Sequence, residues 1–115
     1  MVQEQPVSDI SSYHAHIYYD AETKNVAETM RGRLEEIFPD LTYGRWHDRP
    51  VGPHPSWSTQ VAFPASVFPE IVPWLTLNRD GLVIFVHTNT GDDLVDHRDH
   101  AIWLGDSQVL DLSIF

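Results

Sequence analysis

The chain has 115 residues, enough for one domain with its own core and too few for two. Seventeen acidic against seven basic residues give a formal charge of -10, which argues against a nucleic-acid or anionic-membrane surface, since both reward clustered Lys and Arg. Cysteine is absent, which excludes disulfides, thiolate catalysis and thiolate ligation, so a bound metal would need nitrogen and oxygen donors.

Residues 1–10 are polar and lack the basic and apolar regions of a secretory leader. No apolar run approaches the roughly 20 residues that span a bilayer. We therefore expect a soluble cytoplasmic protein, with a polar tail at 1–10 and a single domain over 11–115. Ser12 to Tyr19 alternates with period 2, placing His14, His16 and Tyr18 on one face of a strand and Tyr13, Ala15, Ile17 and Tyr19 on the other. Asp20 can cap a helix over about 22–38 with the stripe Val26, Met30, Leu34 and Ile37, and Pro39 stops it. Leu41 to Trp46 and Trp57 to Phe63 read as strands joined by a loop stiffened by Pro50, Pro53 and Pro55.

Ala65 to Leu77 has helical spacing at Val67, Ile71, Trp74 and Leu75, although Pro73 should kink or break it. Asn78 to Gly81 is a turn, and Leu82 to His87 is the next strand. The order β-α-β-β-α-β predicts an α+β, ferredoxin-like sandwich, and Ala101 to Ile114 adds an extra hairpin or tail.

Chemistry concentrates in two places. His14-Ala15-His16 lies on the first strand, and His87, His97, Asp92, Asp93, Asp96 and Asp99 crowd the segment after the last apolar run. Histidines at i and i+2 on a strand point the same way with Cα atoms roughly 6.5–7 Å apart, so both imidazoles can converge on one ion. In a ferredoxin-like sheet the last strand lies beside the first, which brings His87 near His14. A third ligand from His87, His97 or an aspartate would complete a facial set with open positions. The bland alternatives are packed histidines, a solvated acidic loop, surface arginines at Arg45 and Arg49, and core tryptophans at Trp46, Trp57 and Trp103.

The runs His14 to Asp20, Gly52-Pro53-His54-Pro55 and His87 to Gly105 resemble the DOPA 4,5-dioxygenase family, and the likeness spans roughly residues 12–112. That resemblance implies a small ferredoxin-like protein that cleaves a catechol ring in extradiol fashion with dioxygen. It matches His14 and His16 to the family's H-x-H motif, His54 to its GPHP motif, and His87 and His97 to its C-terminal histidines. We expect His14, His16 and His87 to hold Fe(II), with Asp96 as a carboxylate substitute and zinc or nickel as alternatives in purified protein.

His54 and His97 are then the candidate acid and base, and Arg45 or Arg49 would pair with a substrate carboxylate such as that of L-DOPA. His54 should lie about 13 Å from the ligands along the strand unless its loop folds back or a second subunit completes the pocket. A homodimer covering the free sheet face is the expectation. The alternatives are a non-catalytic metal- or small-ligand-binding dimer of the same fold and a purely structural protein.

Overall fold

In the computed structural model, which describes residues 3–115, the alternating segment Ser12–Tyr19 is β1, the central strand of a five-stranded sheet of order β2-β3-β1-β4-β5. The other strands are β2 (Thr42–His47), β3 (Trp57–Pro64), β4 (Ile84–Asn89) and β5 (Ala101–Leu104). The helices are α1 (Lys24–Ile37), α2 (Phe68–Asn78) and α3 (Asp93–Arg98). Every neighbouring pair of strands is antiparallel, and β4 lies beside β1. The expected ferredoxin-like α+β arrangement is therefore present. Beyond it, β5 adds one edge strand and residues 105–115 run on as a tail with a 3-10 turn at Leu112–Ile114. Of the polar segment expected at 1–10, residues 1 and 2 lie outside the described residues, and Val7–Asp9 forms an exposed 3-10 turn.

One face of the sheet carries the hydrophobic core. Ala15, Ile17 and Tyr19 of β1, Val61 and Phe63 of β3, and Ile84 and Val86 of β4 pack against Ala27, Met30 and Leu34 of α1 and Ile71 and Leu75 of α2. Arg31 is buried between α1 and the sheet. Its guanidinium donates to the carbonyl of Gly44 and the hydroxyl of Thr59 and lies over the rings of Tyr43 and Trp46. These contacts satisfy a charge that would otherwise be costly to bury. They also brace an irregularity in β2, where Gly44 and Arg45 together stand opposite Gln60 alone. A side chain at position 44 would crowd Gln60, because an added Cβ would come within 3.3 Å of it.

Three local expectations are corrected. The buried stripe of α1 is Ala27, Met30, Arg31 and Leu34, whereas Ile37 is 52% exposed in the last turn. Asp20 does not cap α1; it accepts from the backbone N–H groups of Glu22 and Thr23 in the turn before the helix. Pro73 does not interrupt α2, because the donor it lacks would have met the carbonyl of Pro69 in the first turn, while Ile71 and Leu75 anchor the helix on the core. The acidic segment is also not simply a solvated loop. Asp92 caps α3 by accepting from the Val95 N–H. Asp96 is buried, accepting from the Thr90 N–H and from the Thr88 and Thr90 hydroxyls.

The opposite face carries His14, His16 and Tyr18. It is covered from within the same chain. Residues 48–56 fold back so that the His54 ring lies 4.1 Å from that of His16, which removes the expected 13 Å separation without a second subunit. The tail pins this loop: the Asp111 N–H donates to the Pro53 carbonyl and the Ser56 hydroxyl donates to Gln108 Oε1. Among the described residues no helix is long and apolar enough to cross a membrane.

Candidate metal centre

His14 stands directly opposite His87 across β1 and β4, and His16 follows His14 by one side-chain step on the same face. One ring nitrogen from each of the three lies within 4.8 Å of the other two. The Nε2 atoms of His16 and His87 are 3.1 Å apart. With metal–nitrogen bonds of about 2.1 Å, two nitrogens on one ion sit about 3.0 Å apart at a right angle and about 3.4 Å apart at a tetrahedral angle. The observed separation thus fits two cis ligands of one ion.

The electrostatics favour the same role. His87 donates its Nδ1–H to the Thr88 carbonyl at 2.9 Å, and a carbonyl cannot donate in return, so the Nε2 lone pair of a neutral His87 is free for an ion. Burial pushes His87 down to about 4 and holds His16 well below the usual histidine range, with the neighbouring imidazoles adding to both effects. Burial, helped by His97, also lowers His14. These rings are therefore neutral and ligand-ready at physiological pH. Three neutral nitrogens leave the full charge of a divalent ion to be met by anionic ligands from outside the protein.

Two more histidines flank the set. His54 is nearly buried, with its Nδ1 2.7 Å from the Tyr18 hydroxyl, and burial pushes it down to about 4. The His97 ring lies 4.0 Å from that of His87, tilted by 34°, and donates its Nδ1–H to the Asp93 carbonyl at 2.6 Å. Phe85 lies beside His16, His87 and His97, Trp103 stacks on Phe85 at 4.6 Å, and Phe115 of the tail lies 4.5 Å from His97. Trp103 is thus an aromatic wall of the site rather than the core residue expected.

The remaining candidates are placed differently. The Asp96 carboxylate is taken up by Thr88 and Thr90, with His100 Nδ1 3.5 Å away, and it is not one of the converging donors. Arg45 and Arg49 are exposed, on the outer strand β2 and in the loop after it. Gln60 faces His16 across one strand gap and Arg45 flanks Gln60 across the next, so Arg45 is about 9.6 Å from β1 at 4.8 Å per strand. Tyr18, Phe85 and Phe115 were missed as site residues. The alternation that placed His14 and His16 also placed Tyr18, but nothing local revealed that His54 would meet it.

The sequence profile described as the Dopa 4,5-dioxygenase family matches residues 13–114. The chain belongs to the DOPA 4,5-dioxygenase family. It is 32% identical over 116 residues to the DOPA 4,5-dioxygenase of Amanita muscaria, covering 92% of this chain and 50% of that protein. It is 38% identical over 114 residues to an uncharacterized 21.2 kDa protein of Botryotinia fuckeliana, covering 90% of this chain and 62% of that one. The chain therefore spans between half and two thirds of the length of these two relatives. A crystal structure of a candidate dioxygenase from Nostoc punctiforme PCC 73102 superposes with a TM-score of 0.92 at 43% identity, covering 95% of this chain and 94% of that one. In this dioxygenase family member, the matched region includes all five clustered histidines, His14, His16, His54, His87 and His97.

Proposed function

We propose that this protein is an Fe(II)-dependent extradiol dioxygenase that opens the ring of a catechol such as L-DOPA, with His14, His16 and His87 as the metal ligands. The observation that carries the reading is the convergence of those three rings beside His54 and His97, in a family whose Amanita muscaria member is a DOPA 4,5-dioxygenase. A ferrous ion there would supply a path for electrons from catecholate to dioxygen, and both oxygen atoms would enter the ring-opened product.

The chain's own groups have separable tasks. His97 presents Nε2 as the acceptor for a catechol hydroxyl proton, because its Nδ1–H is committed to Asp93. Trp103 and Phe115, the former backed by the fully buried Phe85, would offer the apolar surface beside His97 on which an aromatic ring rests. In this reading a substrate carboxylate would pair with Arg45 of β2, across the Gln60 row, or with Arg49 in the loop that follows.

One observation favours a second reading. Non-haem iron oxygenases commonly use two histidines and a carboxylate, whereas this set has no carboxylate, a composition equally suited to zinc or nickel in a binding module without turnover. The discriminating experiment is anaerobic reconstitution with ferrous ion followed by mixing with L-DOPA and simple catechols in air, reading oxygen uptake and visible absorbance. Stoichiometric uptake with a yellow ring-opened product, abolished in His16→Ala, is the expected result. One tightly bound metal per chain with no oxygen uptake for any catechol would establish the binding module instead.

A further inference from the structure

Tyr18 continues the alternation of His14 and His16 and is 3% exposed, so its hydroxyl is carried into the site rather than into solvent. Its ring packs edge-on against His54 and Trp103. The hydroxyl meets His54 Nδ1 at 2.7 Å, the short range of a strong hydrogen bond. Which atom donates follows from the chemistry of the pair. A phenol is a good donor and a poor acceptor, while the lone pair of a neutral imidazole nitrogen is a good acceptor. Moving the proton fully across would leave an ion pair out of water, which burial disfavours. The bond therefore runs from Tyr18 O–H to His54 Nδ1. The remaining ring proton of His54 then sits on Nε2, which meets no protein acceptor among the described hydrogen bonds and is open to water or a ligand.

His97 has the opposite constraint. The Asp93 carbonyl can only accept, so His97 carries its proton on Nδ1 and offers a lone pair at Nε2. The two histidines on either side of the ligand set are thus fixed in opposite tautomers by two different partners, a side-chain hydroxyl and a backbone carbonyl.

We infer that Tyr18 is a positioning residue that holds His54 as an Nε2–H donor, so that His54 donates to the anionic oxygen of the bound ligand while His97 accepts a proton from it. The preferred ligand is then one that offers an ionised or ionisable oxygen on each side, as a catechol does, and this consequence rests on the proposed dioxygenase reading. The tautomer of His54 does not. Nothing in the pattern of single residues distinguishes these two histidines; their partners do.

The test has one arm independent of turnover. Long-range proton–nitrogen NMR of the metal-free full chain, in wild type and Tyr18→Phe, reads the protonated nitrogen of His54 directly. Wild-type protein with the proton on Nε2, and Tyr18→Phe with His54 in a mixture of tautomers, would support the inference. A proton on Nδ1 in wild type, or an identical pure Nε2–H form in both proteins, would overturn it. The second arm is kinetic, with catechol as substrate of the iron-loaded protein. Tyr18→Phe should lower kcat about 10-fold to 100-fold with KM nearly unchanged, and that loss should vanish in a His54→Gln background. An equal loss in both backgrounds would show that Tyr18 does not act through His54. Absence of turnover in every protein would sink the dioxygenase reading, and the NMR arm would still decide the role of Tyr18.

Discussion

His16, His54 and His87 are buried imidazoles, and burial makes their protonation unfavourable in the folded chain, outweighing the opposing pull of the buried Asp96 carboxylate on His87. His54 and His87 are held to about 4, while the same rings in an unfolded chain titrate near 6.5. Between those values the unfolded chain binds more protons than the folded one, so stability rises with pH across the interval. The contribution of the neutral rings is complete above about 6.5 and is lost as pH falls through about 4. Calorimetry of the metal-free protein is expected to show a level Tm from pH 8 to 7 and a steady fall from 6.5 to 4. A Tm that is flat through that window would mean that these rings are solvated in the folded chain. At this scale the shared face of His14 and His16 was legible from the sequence, because a period-2 strand fixes which side chains lie together. The partners of those residues were not, because Tyr18 and His54 are 36 positions apart and meet only through a loop.

Among the elements, α1 shows how a pattern can be read one position out of phase. Val26, Met30, Leu34 and Ile37 are spaced like a buried stripe, yet the buried face is centred on Ala27, Met30, Arg31 and Leu34. The apolar stem of Arg31 belongs to that face because its guanidinium finds Gly44, Thr59 and two aromatic rings, contacts that no sequence window contains. Leu34→Ala is expected to cost about 2–5 kcal/mol, as large-to-small changes in a packed core do, and Ile37→Ala to stay within about 0.5 kcal/mol. Urea unfolding of the two variants checks this, and comparable losses would restore the original stripe. In α3 the error had the same origin: four aspartates look like a solvated run, but Asp92 caps the helix and Asp96 is buried by Thr88 and Thr90.

Across the whole molecule, the histidine face is enclosed by two segments that are remote in sequence and tied to each other. The loop at 48–56 brings His54, the tail brings Phe115, and the Asp111–Pro53 and Ser56–Gln108 hydrogen bonds hold loop and tail together. This covering is made within one chain. The tail leaves β5 through Gly105, whose φ of 90° is one that other residues adopt only with strain, and a Cβ there would meet Arg79 Nη1 at 2.8 Å. Gly105→Val is therefore expected to redirect the tail and free the loop. Hydrogen exchange should then quicken at the Asp111 and His54 amides while β1 and β3 stay protected; unchanged exchange at both amides would show that the loop holds its place without the tail.

The sequence by itself determined the element order, the ferredoxin-like topology and the pairing of His14 with His16 on one face, while leaving His87, His97 or an aspartate open as the third converging group, because alternation, turn residues and strand adjacency are properties of short windows and of connection rules. Tertiary structure alone decided that His54 folds back onto His16, that Asp96 turns to threonines rather than to the centre, and that Tyr18 and Asp93 give His54 and His97 opposite protons. Those outcomes depend on burial and hydrogen-bond pairing between segments that approach one another only once the sheet has formed, and no local pattern encodes them.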